Sequence, residues 1–93
     1  MKRAIVTLKG RVVGVGFRDR VLEVAERFAV AGSVGNVRDL EALEIDVEGD
    51  AAEVDRFVSA VLADPPSGAR IDAVEEAEAP LRELQTFTRA PTR

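Results

Sequence analysis

The order in which hydrophobic spacing changes along the chain is the feature that most restricts its fold. Ala4–Lys9 alternates with a period of two and contains β-branched residues, which predicts a strand. Arg18–Ala31 changes to helical spacing, so that four apolar side chains share one face: Val21, Ala25, Phe28 and Ala29. Gly32 is interpreted as the glycine that ends this helix. The chain therefore begins with a strand followed by an amphipathic helix.

Two further strands are predicted after this helix. They occupy Val34–Arg38 and Leu43–Glu48, and Asp39–Ala42 is interpreted as the hairpin loop between them. The second strand alternates cleanly, with its three aliphatic residues predicted to face the core and its three acidic residues to face solvent.

A second amphipathic helix is predicted to begin at a capping box formed by Asp50 and Glu53. Its apolar stripe consists of Val54, Phe57, Val58, Val61 and Leu62. Asp64–Gly68 contains two prolines and ends the helix. Ala69–Ala79 follows as a strand whose imperfect alternation indicates a bulge. Leu84–Thr88 is the last, weak strand.

The order of elements predicts an α+β fold of the ferredoxin-like type. β-α-β-β-α-β with a short C-terminal strand corresponds to an antiparallel sheet with two helices on one face. With 93 residues there is room for one hydrophobic core, so residues 1–93 are expected to form a single domain. This scaffold supports many activities, so function has to come from a site.

Composition excludes several kinds of chemistry. The chain has no cysteine and no histidine, which removes disulfides, thiolate nucleophiles, Ser-His-Asp triads and the usual zinc sites. We expect neither a metal nor a cofactor. A net charge of −4 and only four aromatic residues, all phenylalanine, argue against nucleic-acid binding.

The apolar runs are too short for a membrane span or a signal peptide. A cytoplasmic protein without membrane contact is therefore expected. An exposed sheet face bearing Ile5, Thr7 and Lys9 gives no reason to expect more than a monomer.

Gly10–Arg18, with the sequence GRVVGVGFR, lies between the first strand and the first helix. Unpaired N–H groups at a helix start bind anions, and glycines allow successive N–H groups to turn toward one point. Arg18 adds planar, charged donors suited to a phosphoryl group. Asp19 stands where a dinucleotide-binding loop needs glycine, and no Gly-Lys-Ser/Thr is present. The loop predicts a small phosphate pocket, and a tight turn with a solvated arginine is the alternative.

Several motifs carry a resemblance to a known family. GRVVGVGFR resembles the acylphosphatase signature G-x-V-Q-G-V-x-F-R, and Gly32–Asn36 resembles its second motif, G-x-V-x-N. Val47–Gly49 matches V-E-G, and Pro65–Glu75 is similar to P-P-G-A-R-V-D-x-V-E with one extra residue. The matches cover nearly all of the chain except its last dozen residues.

The resemblance implies an enzyme that hydrolyses acyl phosphates to a carboxylate and inorganic phosphate. It implies that Asn36 holds the attacking water, although Asn36 considered alone is more typical of a turn residue. Such a reaction needs mainly positioning and charge stabilisation, which residues of this composition can supply. The phosphate-binding residues that the resemblance implies are Val13, Gly14, Val15, Gly16, Phe17 and Arg18.

The chain also departs from the family pattern. Val13 replaces the usual glutamine, and Ser33 replaces an aromatic residue. Val37 replaces the threonine or small residue that sometimes follows the motif asparagine, and the C-terminus lacks a closing aromatic residue. Since Arg18 and the asparagine remain, we expect activity at a modest rate. The main alternative is a non-catalytic module that binds a phosphate-bearing ligand or a protein. Two others are a domain like that at the front of larger hydrogenase-maturation proteins and a regulatory or RNA-binding domain.

Overall fold

The fold is built on one five-stranded sheet with two helices packed against one face. A computed structural model describes all residues, Met1–Arg93. The elements in chain order are β1 (Lys2–Arg11), α1 (Phe17–Ala25), β2 (Val30–Val37), β3 (Ala42–Gly49), α2 (Ala51–Ala63), β4 (Arg70–Ala79) and β5 (Phe87–Arg89). No helix has the length and apolar character needed to cross a bilayer.

The strands are arranged in the order β4-β1-β3-β2-β5. β1 pairs antiparallel with β3 and β4, and β2 pairs antiparallel with β3. β5 pairs parallel with the outer edge of β2, which makes the sheet mixed. The predicted ferredoxin-like sandwich is confirmed, with β5 as the one exception to the predicted antiparallel pairing.

The core lies between the sheet and the helices, as the alternating pattern predicts. Val54, Phe57 and Val61 on α2 are buried, whereas Val58 and Leu62 of the predicted stripe are half-buried at its margin. The core side chains of the sheet are Ala4, Val6, Leu8, Val34, Leu43, Ile45 and Val47. The ring of Phe57 packs edge-on against two other rings, 6.3 Å from Phe28 and 5.4 Å from Phe87 by centroid distance.

The predicted end of the first helix is wrong. α1 ends at Ala25, so Phe28 and Ala29 lie outside it, and β2 already begins at Val30. Val30 is paired with Gly49, and this contact with a distant strand outweighs the helical spacing of the local sequence. Gly32 is accordingly a strand residue and not a helix terminator.

Gly32 is required inside β2 because the strand approaches its neighbour very closely. Its φ is +141°, and a β-carbon placed there would overlap the backbone carbonyl of Asp46. We expect Gly32→Ala to lower the free energy of unfolding by about 3 kcal/mol, because the β2–β3 ladder must shift. Urea unfolding measures this change. Gly68→Ala is the control, since it also has a positive φ but its β-carbon meets open space; equal losses in both variants would contradict the packing argument.

The remaining boundaries differ by small amounts. β2 ends at Val37, and a single 3₁₀ turn at Arg38–Leu40 leads to Glu41, which adopts a left-handed conformation with φ of 47°. The loop therefore begins one residue earlier than predicted. The bulge in β4 is confirmed, since its register against β1 shifts between Lys9 and Gly10. β5 covers Phe87–Arg89 and not Leu84–Thr88.

The start of α2 is predicted correctly, but the capping box is wrong. Asp50 occupies the position before the first helical residue, yet its side chain makes no capping hydrogen bond. Its carboxylate still lies at the positive end of the helix dipole, where a negative charge is favourable.

Glu48 fixes the path of the segment between β4 and β5. Predicted to face solvent, it is in fact buried, and its carboxylate accepts bonds from three consecutive N–H groups: those of Arg82 (2.8 Å), Glu83 (3.3 Å) and Leu84 (2.6 Å). Glu83 has a φ of 55°, which lets the three N–H groups converge. The bond from Leu84 is the main cause that lowers the pKa of Glu48, opposed by its burial and assisted by the other two bonds.

This lowered pKa predicts a pH-dependent contribution to stability. A carboxyl group with a lower pKa in the folded state stabilises the fold above its ordinary pKa of 4.5, and this contribution is lost as the pH falls through the folded value. We expect Glu48→Gln to lower the urea midpoint at pH 7 and to have a smaller effect at pH 3. Glu26→Gln, at an exposed residue without an ion pair, is the control. An equal effect of Glu48→Gln at both pH values would contradict the linkage.

Candidate active site

The loop between β1 and α1 is anchored at both ends and open in the middle. Val12 and Phe17 are each 1% exposed and belong to the core. Gly14 and Gly16 between them have φ values of 77° and 79°, a left-handed conformation that favours glycine. A β-carbon on either glycine would meet no atom within 4 Å. The glycines are therefore needed for the backbone conformation and not for close packing.

The backbone N–H groups of this loop have no partners in the protein. No backbone N–H group from Val13 to Arg18 donates a hydrogen bond within the protein. The loop takes part in one backbone hydrogen bond as an acceptor, from the N–H of Arg20 to the carbonyl of Gly16 at 3.2 Å. Since backbone donors in folded proteins are nearly always paired, a run of free donors at a helix start is suited to binding an anion.

Arg18 lies in the first turn of α1 and is held by the C-terminal segment. Its Nη1 donates to the hydroxyl of Thr92 at 3.1 Å and more weakly to the carbonyl of Ala90 at 3.4 Å. These contacts occupy one nitrogen of the guanidinium group. Nε and Nη2 make no hydrogen bond within the chain, so they remain available to a ligand.

Asn36 lies within β2, where it is paired with Leu43. The interpretation of Asn36 as a turn residue is therefore wrong. Its side chain points to the helix-covered face of the sheet, as does that of buried Val34 two residues earlier. Asn36 is only 8% exposed, yet its side-chain amide makes no hydrogen bond within the protein, and neither amide atom is fully enclosed. A nearly buried amide left without a partner is a site for water or a ligand.

One small cavity, of about 110 Å³, brings these groups together. Gly14, Gly16, Arg18 and Asn36 all line it, although the first and last of these are distant in sequence. Val13 and Val15, two of the predicted phosphate-binding residues, do not line this cavity. Their side chains are half-buried and packed against the core, so these two residues can contribute only their backbone groups.

Two charged residues of the cavity were not identified from the sequence. Arg89 at the end of β5 lines the cavity and forms an ion pair with Asp19 at 2.9 Å. Arg89 is a second guanidinium group within the site. It reaches this place because β5 pairs parallel with β2, with Arg89 opposite Val34. No local sequence signal indicates this long-range pairing.

The proteins that this chain resembles are acylphosphatases. The acylphosphatase family profile matches residues 4–88. The chain belongs to the acylphosphatase family. An acylphosphatase of Rubrobacter xylanophilus is 44% identical over 79 residues, which cover 85% of this chain and 70% of that protein.

Solved structures show the same relationship. The crystal structure of acylphosphatase from Bacillus subtilis is 30% identical with a TM-score of 0.89, and the match covers 97% of this chain and 99% of that one. T. kodakarensis HypF is also 30% identical with a TM-score of 0.87, but the match, although it covers all of this chain, covers only 12% of HypF. The relatives confirm both the resemblance and the enzyme class: the protein is a hydrolase with acylphosphatase activity. Its substrates are acyl phosphates, and inorganic phosphate is a product.

Proposed function

We propose that this acylphosphatase binds the phosphoryl group in the loop Val13–Arg18 and that Asn36 positions the attacking water. The observation that carries the proposal is that residues with free donors line one cavity. They are Arg18, with two free guanidinium nitrogens, Asn36, with an unpaired amide, and the loop residues with unpaired N–H groups, namely Gly14, Gly16, Phe17 and Arg18 itself. All of them can act without a change in the fold.

The loop and Arg18 divide the task of charge stabilisation. Negative charge is spread over the phosphoryl oxygens during transfer, and donors fixed before the reaction stabilise it without reorganisation. The N–H groups supply short, fixed dipoles, and Arg18 supplies a full positive charge in planar geometry. The contacts of Arg18 with Thr92 and Ala90 hold this charge at the edge of the cavity.

Asn36 acts on the nucleophile. Its amide can accept a hydrogen bond from water and donate another to a phosphoryl oxygen, which fixes the water beside phosphorus. Water attacks phosphorus, the bond from phosphorus to the acyl oxygen breaks, and the carboxylate leaves with the bonding electrons. Both protons of the water remain on the inorganic phosphate that is released. Since a carboxylate is a stable anion, the leaving group needs no strong acid.

Hydrolysis of benzoyl phosphate tests the proposed function directly. We expect the protein to release benzoate much faster than buffer alone. Inorganic phosphate should be a competitive inhibitor, and its inhibition constant should rise as the salt concentration is raised. A rate equal to that in buffer, together with phosphate binding measured by calorimetry, would instead support a non-catalytic module. Catalysis without inhibition by phosphate would contradict the assignment of the loop as the phosphate site.

A further inference from the structure

A second and larger cavity, of about 570 Å³, lies beside the phosphate-binding loop and has no part in the mechanism above. Three arginines line it, Arg11 from β1, Arg38 from the turn after β2 and Arg70 from β4. We refer to it as the arginine cavity.

The arginine cavity carries an excess of positive charge in an otherwise acidic protein. Arg70 is neutralised by Asp72, whose carboxylate accepts bonds from Nε at 2.8 Å and Nη2 at 3.2 Å. Arg11 and Arg38 make no side-chain hydrogen bond or ion pair, and Glu41, the remaining charged residue of the wall, makes no ion pair either. The wall thus has a net charge of about +1, and its two unpaired guanidinium groups have free donors.

Two separate segments connect the arginine cavity with the phosphate pocket. Val13 lines the arginine cavity, and the next residue, Gly14, lines the phosphate pocket. On the opposite side, Arg38 lines the arginine cavity, and Asn36 lines the phosphate pocket. Neighbouring Cα atoms are about 3.8 Å apart, and two residues of extended chain span about 7 Å. The walls of the two cavities are therefore separated by no more than the length of a small molecule.

We propose that the arginine cavity binds the acyl end of the substrate when that end carries a second anionic group. This inference rests on the proposed phosphate site, because it needs the phosphoryl group to be held in the loop. A carboxylate or phosphate on the acyl chain then meets Arg11 and Arg38, whose planar donors fit both groups. The preferred substrates are acyl phosphates with a second negative charge, and the bond that breaks is the same.

Two substrates that differ by one carboxylate test this proposal. We expect kcat/KM for 4-carboxybenzoyl phosphate to exceed that for benzoyl phosphate by about fivefold to tenfold, mainly through KM. The gain is no larger because Arg11 and Arg38 are exposed, and solvent screens their attraction to the carboxylate. The double variant Arg11→Gln/Arg38→Gln should reduce this ratio to about one. Glu41→Gln should increase it, because it removes the one unpaired negative charge of the wall.

The matched control is Arg27→Gln/Arg56→Gln, which removes the same charge from exposed arginines that have no ion pair and line no cavity. It should keep the wild-type ratio. If the wild-type ratio is near one and benzoyl phosphate is still hydrolysed, only the proposal for the arginine cavity is overturned. The proposal for the arginine cavity is also overturned if Arg11→Gln/Arg38→Gln keeps the wild-type ratio of the two kcat/KM values, or if the control loses this ratio to the same extent. Failure to hydrolyse either compound overturns the proposed function itself.

Discussion

Arg18→Ala is expected to lower kcat for benzoyl phosphate by about three orders of magnitude and to abolish competitive inhibition by inorganic phosphate. Removal of an arginine that stabilises a transferring phosphoryl group costs about 10³-fold or more. The loop N–H groups remain in this variant, but without the full positive charge of Arg18 they bind phosphate too weakly to give measurable inhibition. Steady-state kinetics with phosphate as inhibitor measures both effects.

Two further variants separate charge from geometry at this position. Arg18→Lys keeps the charge but loses the planar fork, so its kcat should lie between those of the wild type and Arg18→Ala. Arg27→Ala removes an exposed arginine just beyond α1 and should leave the kinetics unchanged. If Arg18→Ala keeps wild-type kcat, the phosphoryl group is not held by this residue.

Asn36→Ala is expected to lower kcat by about 10²- to 10³-fold with little change in inhibition by phosphate. Loss of one precisely placed amide at a reaction centre has a cost of this size. Because Asn36 is assigned to the water and Arg18 to the phosphoryl group, the two variants should differ in their phosphate inhibition constants. This difference separates the two roles even if both variants are nearly inactive.

Stability must be checked for Asn36→Ala because the residue is nearly buried. Its amide makes no intramolecular hydrogen bond, so truncation should affect the urea midpoint only slightly. Ser33→Ala, on the opposite face of β2, is the control and should keep full activity. Full kcat in Asn36→Ala would mean that the water is positioned by another group, although the hydrolase function would stand.

The fold could be predicted where local pattern and tertiary contacts agree. α2 begins where Asp50 and the apolar stripe indicate, and the order of helices and strands along the chain follows from the changes in hydrophobic spacing. The end of α1 could not be predicted, since Ala25–Ala31 has helical spacing and only the pairing of Val30 with Gly49 ends the helix early. The burial of Glu48 likewise depends on N–H groups more than 30 residues away in sequence.

The site could be predicted in its local part only. The glycine loop and Arg18 are one continuous segment, and motif resemblance adds Asn36. Arg89 and the contacts of Thr92 and Ala90 with Arg18 depend on the parallel pairing of a three-residue strand. A strand this short leaves too weak a pattern for its partner or direction to be inferred.

The free N–H groups of the loop also determine which of its positions should tolerate substitution. Every residue except proline has the same backbone donor, so a receptor made from the main chain does not depend on its side chains. Valine at position 13, where the signature quoted above has glutamine, therefore leaves the series of N–H donors intact. Tolerance to mutation should end at Gly14 and Gly16, whose backbone angles few other residues adopt. Evolution can thus change the residues around the loop, and with them the choice of substrate, while the proposed phosphate-binding backbone stays the same.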